Sequence, residues 1–191
     1  MIYIGGNIMI IIGYQGIGKS SVASNNLSFI DLESSSFWVD GKRDDDWYIV
    51  YAQIAEHLSK QGYTVFVSSH QVLRDWLVNS TEKVVEIYPS HGIKEDWLKR
   101  LKYRLITDSS EKNKRAYEGA AGYYDANIKS FEEDRGHYIY MELRTVNYKL
   151  EDVIDAIFDI DDLWASQFPE VKTPTVSSFY YTEAGNVFSM P

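Results

Sequence analysis

Residues 13–20 read Gly13-Tyr14-Gln15-Gly16-Ile17-Gly18-Lys19-Ser20. They fit the pattern G-x-x-x-x-G-K-[ST], the phosphate-binding P-loop motif, whose glycines let consecutive backbone N–H groups turn inward around a phosphate. The motif follows an apolar run, residues 7–12, and precedes a helical segment whose N-terminus presents the positive end of its dipole. Lys19 is expected to reach the β- and γ-phosphates of a nucleoside triphosphate, and the Ser20 hydroxyl to ligate Mg²⁺. The sequence therefore predicts ATP and Mg²⁺ as cofactors. The predicted nucleotide-binding residues of this segment are Gly13, Gln15, Gly16, Ile17, Gly18, Lys19, Ser20 and Ser21.

Outside this loop, apolar runs of strand length alternate with segments of helical periodicity, which is typical of an α/β domain with a mainly parallel sheet. We interpret the chain as one domain, residues 1–191, with three α/β/α layers and a central sheet of five strands. The predicted strands are 7–12, 28–31, 63–67, 84–88 and 137–143, and the clearest helical patterns are 47–58, 97–105, 117–131 and 150–157. The tail, residues 161–191, departs from this alternation and is rich in aromatic residues. It is expected to pack across the domain surface, with a dimer contact or a cover over the substrate as alternatives.

Composition excludes several classes of function. The chain has 191 residues, 19 Lys+Arg and 28 Asp+Glu, and a formal net charge of −9, which argues against binding a nucleic-acid polymer. It has no cysteine, so disulfides, cysteine-ligated metals and thiol nucleophiles are excluded. The longest run of Ile, Leu, Val and Met, residues 8–12, is far shorter than the roughly 20 residues that span a bilayer. The N-terminus lacks the basic segment and cleavage site of a secretory signal, so a cytoplasmic protein is predicted, and a homodimer is left open.

Two carboxylates follow the second predicted strand. Asp31 and Glu33 are two residues apart, so they share one side of an extended chain. The carboxyl ends of parallel strands face the ligand crevice of an open α/β sheet. Asp31 is expected to hold Mg²⁺ through water, and Glu33 to orient or deprotonate an acceptor hydroxyl. The alternative is that one of them caps the next turn.

Basic residues are concentrated in one segment. Between Lys94 and Arg115, eight of the 19 basic residues fall within 22 positions. Arg100 and Arg104, four positions apart, lie on one helix face, where two guanidinium groups can clamp phosphate oxygens. A solvated basic face is the alternative interpretation.

With these motifs, the chain resembles the adenylate-kinase-like nucleoside monophosphate kinases, a group of P-loop NTPases. The likeness is greatest to the short nucleotide kinases encoded by bacteriophages and prophages, and it covers residues 7–158. Residues 100–104, Arg-Leu-Lys-Tyr-Arg, match the R-L-x-x-R that precedes the mobile lid of that family. The resemblance implies the strand order 2-3-1-4-5 and a short lid, residues 106–116. It also implies that Arg100 contacts adenine and Arg104 the triphosphate, and that Asn147 and Tyr148 lie where the family contacts adenine. Three further basic residues fall where the family's lid closes over the transferring phosphoryl group: Lys112, Lys114 and Arg115.

The same resemblance places an acceptor site in residues 32–62. Asp31-x-Glu33 is similar to the D-x-D pair of shikimate- and gluconate-type kinases, whereas the Asp that usually follows the third strand is replaced by Ser68-Ser69-His70. Trp38 is expected either to stack on the acceptor base or to pack in the core. The implied substrate-binding residues are Asp31, Glu33, Ser34, Trp38, Arg43 and Arg74. The candidates for the acceptor phosphate are Lys42, Arg43 and Arg74.

These observations predict a Mg²⁺- and ATP-dependent phosphotransferase that converts a nucleoside or deoxynucleoside monophosphate to the diphosphate. The expected catalytic residues are Lys19, Arg100, Arg104 and Arg115, and the expected metal ligands are Ser20 and Asp31. A kinase of a small hydroxylated metabolite and a nucleotide-binding regulatory protein with slow ATP hydrolysis are the alternatives. A G protein is disfavoured because the sequence contains neither a D-x-x-G nor an N-K-x-D motif.

Overall fold

The structure, a computed structural model, describes residues 8–167, 178–182, 185 and 187–189. In chain order its elements are β1 (Ile10–Gly13), α1 (Lys19–Asn25), β2 (Phe29–Asp31), α2 (Trp47–Lys60), β3 (Thr64–Val67), α3 (Gln71–Leu77), β4 (Val84–Pro89), α4 (Lys94–Thr107), α5 (Glu111–Glu133), β5 (Ile139–Leu143), α6 (Leu150–Gln167), β6 (Ser178–Tyr181) and β7 (Val187–Ser189). Short 3-10 helices cover Ser34–Phe37 and His91–Ile93.

The strands form one sheet in the order β2-β3-β1-β4-β5-β6-β7. All neighbouring pairs from β2 to β6 are parallel, and β7 is antiparallel to β6. The α/β class, the mainly parallel sheet and the order of the first five strands are therefore confirmed.

The predicted count of five strands is wrong, because the tail adds two. Phe179 and Tyr181 of β6 are in register with Met141 and Leu143 of β5, so the described part of the tail extends the sheet edge. Aromatic residues favour strands, and β5 would otherwise present unpaired N–H and C=O groups along that edge. Residues 168–177 of the predicted tail lie outside the described residues.

The core lies on both sides of the central strands. Every residue of β1, β3 and β4 is buried, and because side chains alternate across a strand, both sheet faces are covered. Helix α2 packs on β1 and β3, and α5 packs on β4. Full burial of a side chain such as Ile11 contributes roughly 1.5–3 kcal/mol to folding.

Within the described residues, no helix combines the length and apolar character that crossing a membrane requires.

Helix α5 begins earlier than the hydrophobic pattern predicts. We expected helix to resume near Tyr117, but α5 begins at Glu111 because the Ser110 hydroxyl caps it by accepting a hydrogen bond from the Asn113 backbone N–H. Residues 106–116 therefore comprise the end of α4, the three-residue connection 108–110 and the start of α5. A kink at Tyr123, with φ −134°, directly follows Gly122, which together with Gly119 weakens the helical pattern of residues 117–131.

Candidate functional site

The loop formed by residues 13–20, here called the phosphate loop, runs from the end of β1 into α1. Gly16 and Gly18 have φ values of 88° and 112°, a left-handed region that glycine adopts without a Cβ penalty. A Cβ at Gly16 would also lie 2.6 Å from Leu101 Cδ2, so α4 packs too closely for any larger residue. Gly16 is thus required by both backbone conformation and space, and Gly18 by backbone conformation.

Two aromatic residues outside the motif fix this loop. The Trp97 indole N–H of α4 donates to the Gln15 carbonyl at 3.2 Å, and the Tyr148 hydroxyl donates to the Ile17 carbonyl at 3.0 Å. Both rings belong to the apolar packing around the loop, with Trp97 fully buried. With these two carbonyls engaged, the loop backbone is held in one conformation for its N–H groups to face a ligand.

Lys19 lies at the base of the phosphate loop. Its ammonium donates to the Gly13 carbonyl at 2.7 Å. Burial lowers the pKa of Lys19 to about 8, the carboxylates Asp31 and Glu33 act in the opposite direction, and the positive charges of Lys112 and Arg104 lower it further. A phosphate group that contacted this ammonium would stabilise its charged form.

The predicted metal ligands are brought together. The Ser20 hydroxyl donates to Asp31 Oδ2 at 2.6 Å. The Lys112 ammonium, from the first turn of α5, donates to Ser20 Oγ at 3.0 Å and to Glu33 Oε1. We call the oxygens of Ser20, Asp31 and Glu33 the oxygen corner. Hydroxyl and carboxylate oxygens suit Mg²⁺, which normally completes its shell with water and substrate phosphates, so these residues fit the predicted ion.

A cleft of about 1200 Å³ opens over the phosphate loop and the ends of β2 and β3, with α4 and the start of α5 forming the opposite wall. It collects nearly all the site residues predicted from the sequence. Those lining it are Gly13, Gln15, Gly16, Ile17, Gly18, Lys19, Ser20, Ser21, Asp31, Glu33, Ser34, Trp38, Arg43, Arg100, Arg104 and Arg115.

Arg43 is fixed in the part of the cleft just beyond the ends of β2 and β3. Its guanidinium donates to the Ser34 carbonyl at 2.8 Å and to His70 Nε2 at 3.2 Å, and it stacks over the Trp47 ring at 4.2 Å. Burial, then the charges of Arg43, Lys19 and Arg74, lower the pKa of His70 to about 4. The neutral imidazole therefore accepts a hydrogen bond from Arg43. Trp38 is 47% exposed at the cleft wall.

Three arginines line the cleft from α4 and α5. The Arg100 guanidinium lies over the rings of Trp97 and Tyr148 at 5.4 and 4.9 Å and donates to the Val146 carbonyl at 3.1 Å. Arg104 is near enough to Lys19 for its charge to lower the pKa of that lysine. Burial lowers the pKa of Arg43, and the nearby charge of Arg115 lowers it further. Like charges held this close suit an anionic ligand.

Arg74 and Asn147 are not among the cleft residues. The prediction that Arg74 holds an acceptor phosphate is not supported by its position, because its side chain is only 3% exposed and pairs with Asp134 at 2.5 Å and Glu86 at 3.5 Å. Its Nη1 donates to the Ser69 carbonyl at 2.7 Å, so it lies beneath the cleft floor. The Asn147 backbone N–H donates to Thr145 Oγ1 at 3.0 Å, in the segment that receives Arg100.

Sequence reasoning missed two features of the site. The bond between His70 and Arg43 had only a weak signal, the position of His70 at a strand end. The resemblance placed Lys112 in the lid, but nothing in the sequence indicated its contact with Ser20 and Glu33.

No protein-family model matches this chain, and no curated protein matches it either.

Proposed function

We propose that this protein is a Mg²⁺- and ATP-dependent phosphotransferase that converts a nucleoside or deoxynucleoside monophosphate to its diphosphate. We further propose that it is a P-loop kinase of the adenylate-kinase-like type, similar to the short phage-encoded enzymes, and acts in the cytoplasm. The observation that carries this proposal is a single cleft that joins the phosphate loop to a second half containing Trp38 and the fixed Arg43.

In the donor half, the loop N–H groups and Lys19 would hold the β- and γ-phosphates of ATP. Ser20 and Asp31 would hold Mg²⁺, and the chemistry that the ion supplies when bound is neutralisation of charge on those phosphates. Arg104 and Arg115 would face charge that develops on the transferred group, while Arg100, held flat by two rings, would contact the nucleotide.

In the acceptor half, the exposed face of Trp38 would stack on a base, an interaction of roughly 1–3 kcal/mol. Arg43 would hold the acceptor phosphate, and Glu33 would orient the acceptor. An oxygen of that phosphate attacks the γ-phosphorus in line, the bond to the β-phosphate oxygen breaks, and ADP leaves with the electron pair. The attacking oxygen is already anionic, so positioning rather than a strong base is the main requirement.

A kinase of a small hydroxylated metabolite is the second candidate. The observation that favours it is the abundance of hydroxyl and carboxylate groups in the acceptor half, where Ser34, Ser35, Ser68 and Ser69 line the cleft beside Glu33. In that case Glu33 would accept the proton of the attacking hydroxyl.

The deciding experiment is a coupled ADP-release assay with Mg-ATP and a panel of ribo- and deoxynucleoside monophosphates, including 5-substituted pyrimidines. Strong stimulation by one or two of them is expected, with product phosphates counted by isotope labelling. Lys19→Met should lower turnover by about 100-fold or more. Arg43→Gln should raise the KM for the monophosphate about tenfold and change the KM for ATP little.

Lys42→Gln is the matched control, because it removes the same charge one position away and Lys42 does not line the cleft. ADP release that no monophosphate stimulates, from protein that still binds ATP, would rule out the nucleotide kinase. The metabolite kinase would then be pursued with polyols and hydroxy acids.

A further inference from the structure

The oxygen corner already contains a cation of the chain itself. The Lys112 ammonium contacts Ser20 Oγ at 3.0 Å and the Glu33 carboxylate, and the same Ser20 hydroxyl contacts Asp31. Lys112 thus contacts the hydroxyl that the motif assigns to Mg²⁺ and an acid that lies beside it. Ser20 and Lys112 are 92 positions apart, so the contact is made by the fold and not by local sequence.

We propose, on the basis of the Mg²⁺ site in the proposed function, that Lys112 competes with the metal ion for the oxygen corner and so sets the metal affinity of the protein. An ammonium and a divalent cation compete for the same oxygens, because both draw on their lone pairs and the two positive charges repel at short distance. Mg²⁺ binding is therefore favoured when Lys112 leaves, and the affinity measured is lower than the corner alone would give.

Lys112 can leave without disturbing the fold. Its side chain is 51% exposed and lies on a flexible stem in the first turn of α5. That turn is capped by the Ser110 hydroxyl, which does not depend on Lys112. Lys19 competes less than Lys112 for the oxygen corner, because its ammonium donates a hydrogen bond to the Gly13 carbonyl.

The chain provides a matched control two positions away. Lys114 has the same 51% side-chain exposure, lies on the same helix turn and pairs only loosely with Glu111, at 4.0 Å. Lys114 does not line the cleft. Substituting either lysine by methionine keeps the stem and removes one charge, so both variants attract cations equally at long range. A difference between them reports the contact at the oxygen corner.

The experiment titrates nucleotide-free protein with Mn²⁺ and follows the free ion by electron paramagnetic resonance, with Mg²⁺ as the competing ion. Lys112→Met should bind Mn²⁺ about tenfold more tightly than the wild type, and Lys114→Met within about twofold of it. Lys112→Arg keeps the charge and should stay near the wild-type affinity. Asp31→Asn in the Lys112→Met background should abolish the gain. Circular dichroism and thermal melts establish that each variant is folded.

Equal Mn²⁺ affinities for Lys112→Met and Lys114→Met would overturn the competition. So would a gain that survives Asp31→Asn, since the ion would then bind elsewhere. No nucleotide or acceptor is present, so the result does not depend on kinase turnover. If a monophosphate stimulates ADP release but Lys112→Met and Lys114→Met bind Mn²⁺ equally, only the competition is ruled out. If Lys112→Met binds Mn²⁺ more tightly but no monophosphate stimulates ADP release, the competition stands and the nucleotide kinase is ruled out.

Discussion

If the proposed function holds, Lys19 links the affinity for nucleotide to pH. In the free protein its pKa is about 8, lowered chiefly by burial, whereas contact with a triphosphate favours the ammonium and raises that pKa. Above pH 8 the free protein holds mostly the neutral amine, so binding must take up a proton and affinity must fall as pH rises. We expect the affinity for an ATP analogue to fall by up to about tenfold per pH unit in this range.

Isothermal titration calorimetry at pH 8.5 in two buffers of different ionisation enthalpy measures this proton uptake. We expect a clear fraction of one proton per nucleotide, and none in Lys19→Met titrated at the higher concentrations that its weaker binding requires. Equal heats in the two buffers for the wild-type protein would show that Lys19 is already charged before the nucleotide binds.

Among the elements, α3 is joined to the C-terminal end of α5 by a buried ionic cluster. Arg74 of α3 forms an ion pair with Asp134 at the end of α5, and its Nε lies 3.5 Å from the carboxyl group of Glu86 in the middle of β4. Burial, then the charge of Asp134, raise the pKa of Glu86 to about 9, and Arg74 opposes them only in part. Glu86 is therefore protonated in the folded state at neutral pH, while the unfolded chain has released that proton.

This cluster predicts how stability depends on pH. Between the ordinary pKa of 4.5 and about 9, the folded state holds a proton that the unfolded state lacks, so stability falls as pH rises. Glu86→Gln removes the titrating group, so the free energy of unfolding no longer falls with pH on its account. The variant should be more stable than the wild type by about 1–2 kcal/mol at pH 8, with a smaller gain at pH 5. Urea unfolding at the two pH values measures it.

Glu142→Gln is the control, because Glu142 accepts hydrogen bonds from Arg135 and Arg144 and its loss should destabilise at both pH values. A loss of stability at pH 8 for Glu86→Gln, as large as that of Glu142→Gln, would show that Glu86 is ionised in the fold.

The central elements could be predicted because their signal is local. Strands β1, β3 and β4 are uninterrupted apolar runs, as burial on both faces requires. Strand β6 could not be predicted, since its three aromatic residues become a strand only through pairing with the edge of β5. The start of α5 was missed because residues 111–116 contain no large apolar side chain, so the Ser110 cap and not a hydrophobic pattern marks where the helix begins.

In the candidate site, too, some residues could be predicted from local sequence and others could not. The phosphate loop and Asp31 were predictable because a motif and a strand end fix where they lie. Arg74 was misplaced, since no local signal distinguishes an arginine buried against two carboxylates from one that faces a cleft. The partners of Lys112 lie 79 and 92 positions away and became visible only when the fold brought α5 over α1.

Over the whole molecule, charge is strongly divided. The chain carries a formal charge of −9, yet the cleft is lined by six cationic side chains and only three acids. The six are Lys19, Arg43, Arg100, Arg104, Lys112 and Arg115. An acidic exterior around a basic cleft concentrates small anions in the cleft and repels polyanions elsewhere, which suits nucleotides better than nucleic acids.

In the proposed kinase both ligands bind in one cleft at the edge of one sheet, so each should stabilise the whole protein. A ligand at 100 times its Kd adds about 2.7 kcal/mol to the free energy of unfolding, which in a chain of this size raises Tm by about 5–10 °C. A non-hydrolysable Mg-ATP analogue and the preferred monophosphate should each produce such a shift in a thermal melt. Lys19→Met should lose the shift from the analogue and keep that from the monophosphate, and Arg43→Gln should do the reverse. Loss of both shifts in both variants, from proteins that melt cooperatively, would mean that the cleft binds one ligand across its full length and has no separate acceptor half.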